Sequence, residues 1–126
     1  MAELTISDAE WQVMQVIWRL GKAAAADVIA ELAESTDWSH RTIRTLLGRL
    51  VEKGALASAA DGNRYVYRPL VTRQKCVRAE SRSFLNKVFA GDAAELLVHF
   101  TQEARITPDQ VEELKRLLDT KKSRRE

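Results

Sequence analysis

Residues 38–68, WSHRTIRTLLGRLVEKGALASAADGNRYVYR, allow few folds. Ser39 suits a helix N-cap. Ile43, Leu46, Leu47, Leu50 and Val51 then recur at the i, i+3, i+4, i+7 and i+8 spacing of a single buried helix face. Lys53-Gly54 is a helix stop. Two short runs follow, Ala55 to Ala60 and Arg64 to Leu70, the second alternating Tyr65 and Tyr67 with Val66 and Arg68, and Asp61-Gly62-Asn63 between them tolerates positive φ. The stretch therefore predicts a helix joined to a β-ribbon. Its charge is one-sided: Arg41, Arg44, Arg49, Lys53, Arg64 and Arg68 stand against only Glu52 and Asp61.

That asymmetry matters because the whole chain has a net charge of only +2. A local cationic patch is the electrostatic footprint of a phosphate backbone, although a solvated basic face has the same composition. Position separates the two readings. Arg41, Thr42, Arg44, Thr45 and Arg49 lie outside or on the flanks of the leucine stripe, and the first half of that outer face carries no acid. Arginine can meet guanine O6 and N7 with two hydrogen bonds, and threonine offers a hydroxyl and a methyl to thymine. Asn63 and Arg64 at the ribbon tip can reach phosphate or the adjacent minor groove, and asparagine there also serves the turn. Gly48, a weak helix former, is expected where another helix packs closely.

Upstream, Ser7-Asp8-Ala9-Glu10 is a capping-box pattern. It opens a helix in which Trp11, Met14 and Trp18 share a face and Gly21 is the stop; the tryptophans are expected as core anchors. Lys22 to Ala26 gives no turn signal. A second helix is expected from about Ala25 to Glu34, with Val28, Ile29 and Leu32 inward. Three helices and a hairpin in about 70 residues make a winged helix-turn-helix, whose third helix enters the major groove. Ser39, His40, Arg41, Thr42, Arg44, Thr45, Arg49, Asn63 and Arg64 are its expected DNA contacts.

The remainder predicts three more helices. Thr72 can cap the first, which runs to about Ala90 with a polar, exposed first half. Gly91-Asp92 breaks it, and a shorter helix covers Ala93 to Gln102. Thr107-Pro108-Asp109-Gln110 is a helix start, and residues 121–126 are expected to form a frayed tail. Phe84, Leu85, Val88, Phe89, Leu96, Leu97, Phe100, Val111, Leu114, Leu117 and Leu118 are many large apolar residues for roughly 55 positions, a domain size that is marginal alone. A core shared with a second copy solves this and matches a palindromic site. The fold class expected is mainly α: a winged-helix DNA-binding domain over residues 1–71, then a three-helix dimerisation domain over 72–126.

Other function classes find little support. The only histidines, His40 and His99, fall in different helices, and no H-E-x-x-H, C-x-x-C, G-x-S-x-G or phosphate-loop pattern occurs. An enzyme, a cofactor and a metal site are therefore not expected. Cys76 has no ligand companion and reads as a tolerated helix residue. No apolar run approaches the roughly 20 residues of a membrane span. The first residues lack a secretory pattern, and a lone cysteine agrees with a cytoplasmic protein. A winged helix that serves as a protein-interaction adaptor is the competing class.

The segments ISDAEWQVMQVIW, WSHRTIRTLLGRLVEKGAL, YVYRPLV and SFLNKVFAGDAAELLVHF resemble the penicillinase-repressor family of bacteria. That family includes the BlaI and MecI repressors of β-lactam resistance and the copper-responsive CopY repressors. The resemblance spans about residues 4 to 119. It implies a homodimeric repressor on double-stranded operator DNA, with Arg41, Thr42, Arg44 and Thr45 facing the DNA and Asn63 and Arg64 in the wing. His40 stands where the β-lactam repressors commonly have proline. Those repressors are inactivated when a sensor-activated protease cuts an Asn-Phe bond, and the matching pair here is His99-Phe100, which keeps only the phenylalanine. The C-terminal cysteine cluster of the copper-responsive members is absent. The resemblance thus points to control of β-lactam resistance genes, with copper or other stress genes as the alternative.

Overall fold

The computed structural model describes residues 4–125. The chain divides into two compact units, the first ending at Ala79 and the second beginning at Glu80. The first holds α1 (Asp8–Leu20), β1 (Ala23–Ala24), α2 (Ala25–Leu32), α3 (His40–Glu52), β2 (Leu56–Asp61), β3 (Arg64–Pro69) and the opening turns of α4 (Arg73–Phe89). The second holds the rest of α4, α5 (Ala93–Glu103) and α6 (Pro108–Arg125).

In the first unit, three helices enclose one core. Val13, Met14 and Ile17 of α1 meet Val28 and Leu32 of α2 and Ile43, Leu46, Leu47 and Leu50 of α3, with Leu56 of β2 completing the cluster. Each such side chain removed from water contributes about 1.5–3 kcal/mol, so the stripe on α3 determines which way that helix faces. The tryptophans expected as core anchors take a different place. Trp11 and Trp18 are half-buried at the rim, packed edge to face with ring centroids 5.4 Å apart, while Val13, Met14, Val16 and Ile17 fill the interior. A wide indole bearing an N–H is better placed where that N–H finds an acceptor. The Trp18 N–H donates to the Val71 carbonyl at 2.9 Å, tying α1 to the chain that leaves β3.

The sheet has the order β1-β3-β2, all antiparallel. Leu56 pairs with Pro69 and Asp61 with Arg64, which leaves a two-residue turn at Gly62-Asn63. Gly62 has φ +68°, and it is the residue that supplies the positive φ such a turn needs at its first central position. The third strand departs from the sequence expectation. Ala23 and Ala24 pair with Tyr67 and Val66 and are both buried. Alanine favours helix locally; here the open edge of β3 supplies a ladder, and the small side chains fit beneath it.

A side-chain tie joins the start of α1 to the end of α3. Ser7 caps α1 by accepting from the Glu10 N–H at 3.2 Å, while the Glu10 carboxylate accepts from the Ser7 N–H at 2.8 Å. Glu10 is almost fully buried and accepts from the Lys53 ammonium at 2.6 Å. The same ammonium donates to the Thr5 carbonyl at 2.7 Å. Burial pushes the Glu10 carboxyl up, but the Lys53 hydrogen bond, the two Ser7 hydrogen bonds and the ammonium charge outweigh it and hold the group below its ordinary value. By sequence Lys53 belongs to the basic face; in the fold it turns its charge inward.

Two expectations for the C-terminal helices are corrected. The first half of α4 is not wholly exposed: Cys76 is buried and Val77 and Ala79 are half-buried, all within the first unit. The polar sequence conceals this because a single small face, i and i+3, suffices to seat two turns. The tail expected to fray continues α6 as far as Arg125; Glu126 lies outside the described residues. The capping of these helices follows the local sequence. Thr72 Oγ1 accepts from the Lys75 N–H, Asp92 from the Glu95 N–H, and Thr107 and Gln110 close a reciprocal box at 3.2 and 2.9 Å. No helix among the described residues is long and apolar enough to cross a membrane.

Lys53→Met leaves Glu10 buried with only its Ser7 partners. The expected loss of unfolding free energy at neutral pH is about 1–3 kcal/mol, less than for a fully buried pair because Lys53 keeps part of its side chain in water. A carboxyl depressed in the folded state adds stability above its ordinary value of 4.5, and that contribution is lost as pH falls through the lower folded value. Urea titrations should therefore show the gap between wild type and variant narrowing below pH 4.5; a gap independent of pH would dismiss the charge tie.

Candidate nucleic-acid interface

The core side of α3 leaves its other side to solvent. His40, Arg41, Thr42, Arg44, Thr45, Gly48 and Arg49 are all exposed, and the first turn holds no acid. Ser39 Oγ accepts from the Thr42 N–H at 3.1 Å and lies 3.0 Å from Thr42 Oγ1. Both hydroxyls are thus partly engaged in starting the helix, so Ser39 serves the helix end first. Gly48 does not pack against a helix as expected. It is exposed, and a Cβ there would meet nothing within 4 Å.

The wing stands beside this face. Arg44 from α3, Asn63, Arg64 and Tyr65 from the hairpin, and Ala25 and Ala26 at the start of α2 line one cleft of about 320 Å³. Three of the expected contact residues, Arg44, Asn63 and Arg64, are therefore brought together. Arg41, Thr42, Thr45 and Arg49 remain on the open surface of the helix. Tyr65, 63% exposed, is an addition to the interface expected from sequence. The alternation of β3 carries the signal, since it puts Tyr65 on the opposite face from Val66. The amino end of α2 cannot be foreseen without the β1 pairing that delivers it.

The second unit has a different character. None of the residues expected to dimerise is buried. Leu85, Phe89, Leu96, Leu97 and Leu114 are half-buried, and Phe84, Val88, Phe100, Val111, Leu117 and Leu118 are exposed. Val98 joins them at 56% exposure. His99 sits between two rings, 6.2 Å from Phe89 and 6.1 Å from Phe100. The His99-Phe100 bond lies inside α5, where the Phe100 carbonyl accepts from the Ala104 N–H at 2.9 Å.

A basic outer face on a third helix, free of acid in its first turn, a flanking two-stranded wing and a supporting leucine core form a winged helix-turn-helix. A family model described as penicillinase repressor matches residues 6–120. The chain belongs to the penicillinase repressor family. It is a DNA-binding transcriptional repressor and not an enzyme. The penicillinase repressor of Bacillus licheniformis is 35% identical over 120 residues, covering 95% of this chain and 94% of that protein. The methicillin resistance regulatory protein MecI of Staphylococcus aureus (strain N315) is 37% identical over 116 residues, covering 92% of this chain and 94% of that one. Among solved structures, the monomeric form of Bacillus licheniformis BlaI in complex with the blaP half-operator aligns with TM-score 0.52 and 41% identity, covering 59% of this chain and 92% of that one.

Gly48 costs helix stability with no compensating contact among the described residues. Gly48→Ala should raise the unfolding free energy by about 0.8–1 kcal/mol, read as a higher urea midpoint with an unchanged m-value. A destabilised variant would mean that the open space beside Gly48 is occupied in the folded protein.

Proposed function

We propose that this repressor acts as a homodimer on a palindromic operator, with the exposed faces of two α3 helices in successive major grooves and the two wings on the flanking backbone. The observation that carries the reading is the separation of α3 into a buried leucine side and an exposed side of arginine and threonine. In this reading Arg41, Thr42 and Thr45 meet base edges, and His40 and Arg49 bracket them. Half-sites would then stand about one helical turn, or a multiple, apart.

Dimerisation rests on the second unit, where a domain without one buried side chain among the described residues leaves its apolar surface to a partner. A second copy presenting the same surface satisfies both chains. The relatives named for penicillinase and methicillin resistance support β-lactam resistance genes as the regulated set. Relief of repression by a sensor-activated protease at His99-Phe100 would need α5 to open first, because the bond lies within a hydrogen-bonded helix.

Gel-shift titration against the palindrome upstream of its own operon tests the core of this proposal. A clear preference over scrambled duplex at moderate salt is expected; equal affinity would sink it and favour the adaptor reading. Val88→Asp and Leu118→Asp alter side chains exposed in the single chain. They should shift sedimentation from dimer to monomer by about tenfold or more in dissociation constant, since an unpaired carboxylate is costly on an apolar face. Affinity for the full operator should fall more than affinity for a half-site. Intact protein by mass spectrometry alongside derepressed genes after β-lactam exposure would exclude the proteolytic switch.

A further inference from the structure

The cleft between α3 and the wing holds two arginines, Arg44 and Arg64, whose side chains have no ion pair or hydrogen bond among the described residues. Arg64 has Asp61 as its cross-strand partner, yet the two form no ion pair. Arg19, Lys53 and Arg116, by contrast, are each matched to a carboxylate. Two like charges facing one space repel each other, and an anion between them reverses the sign of that energy. The start of α2 lines the same cleft, and its first helical N–H groups have no partner within the helix. The Tyr65 side chain lies along the same cleft. The Asp27 carboxylate on that helix accepts from the Ala24 N–H at 3.0 Å.

We propose that Arg44 and Arg64 grip one and the same backbone phosphate of the bound duplex, so that Arg44 is a phosphate ligand and not a base reader. This rests on the DNA-binding reading above and deepens it. Base edges lie on the floor of the groove that α3 enters, whereas the wing tip stands beyond the strand. A group reached from both elements at once belongs to the sugar–phosphate ridge between the grooves. Guanidinium suits it, since its planar fork meets two phosphate oxygens together. The cleft then couples the helix to the wing: losing either arginine leaves the phosphate with half its grip. It follows that sequence preference falls to Arg41, Thr42 and Thr45, while Arg44 sets how deeply the helix is seated. The same chemistry would accept free inorganic phosphate, so the test separates the two sources.

The full chain is titrated with operator duplexes carrying a single neutral methylphosphonate at successive positions. The variants are Arg44→Ala, Arg64→Ala and the conservative Arg44→Lys, each checked for folding by circular dichroism. One position in each half-site should cost the wild type about tenfold to a hundredfold, the range of a lost charge-assisted hydrogen bond. The same substitution should cost each alanine variant markedly less, since only one arginine then remains to lose its contact. Arg44→Ala should weaken operator and scrambled duplex by the same factor, and Arg44→Lys should lose less than the alanine variant. Inorganic phosphate, compared with chloride at equal ionic strength, should displace DNA from the wild type more than from either alanine variant. A loss on Arg44→Ala confined to the operator would make Arg44 a base reader and overturn the proposal. So would two arginines answering to different phosphonate positions, or free phosphate that binds without displacing DNA. Failure of the wild type to bind any duplex would remove the DNA reading itself; binding without a shared phosphonate position would remove only the grip.

Discussion

Burial of Ile43, Leu46, Leu47 and Leu50 decides what the rest of the chain can do. Those four side chains press α3 against α1 and α2, and the helix then has one orientation in which its apolar side is satisfied. The arginines and threonines are exposed as a consequence. The face proposed to meet DNA is thus the complement of the face that folds. The wing depends on the same packing, since Leu56 enters the core at the start of β2 and holds the hairpin against the helix end.

Features governed by neighbours in sequence are legible from the amino acids alone. Ser7 with Glu10, Ser39 with Thr42, and Thr107 with Gln110 are contacts over three residues, and each appears where its spacing requires. The outer face of α3 is legible too, because helical periodicity maps position to direction. What escapes lies far along the chain. Lys53 and Glu10 are separated by 43 positions, and nothing local marks that lysine as different from the basic residues around it. Ala23 and Ala24 become a strand only because β3 arrives beside them. The cleft at Arg44 draws on three elements at once, which no single periodicity encodes. Gly48 is misread for a related reason: a glycine in a helix suggests close packing, but only the tertiary arrangement reveals open space.

The two units manage apolar surface in opposite ways. The first encloses it so thoroughly that its tryptophans are displaced to the rim. The second spreads a comparable set of large side chains over α4, α5 and α6 and, among the described residues, buries none of them fully. Local capping makes these helices, through Asp92 and the Thr107 box, but capping energies do not supply a core. Secondary structure there is written in the chain, whereas no buried core backs it among the described residues.

The inward turn of Lys53 changes how the basic stretch should be counted. A protein that neutralises DNA phosphates releases condensed counterions, and the logarithm of its affinity falls with the logarithm of salt by about 0.9 per phosphate met. Lys53 is already matched by Glu10 and held to the Thr5 carbonyl. It is therefore not among the cations available for that exchange. Between Arg41 and Arg68 the cations left without a carboxylate partner are all arginines, weakly hydrated and always charged. The lysine is left to fasten the reading helix to the beginning of the chain.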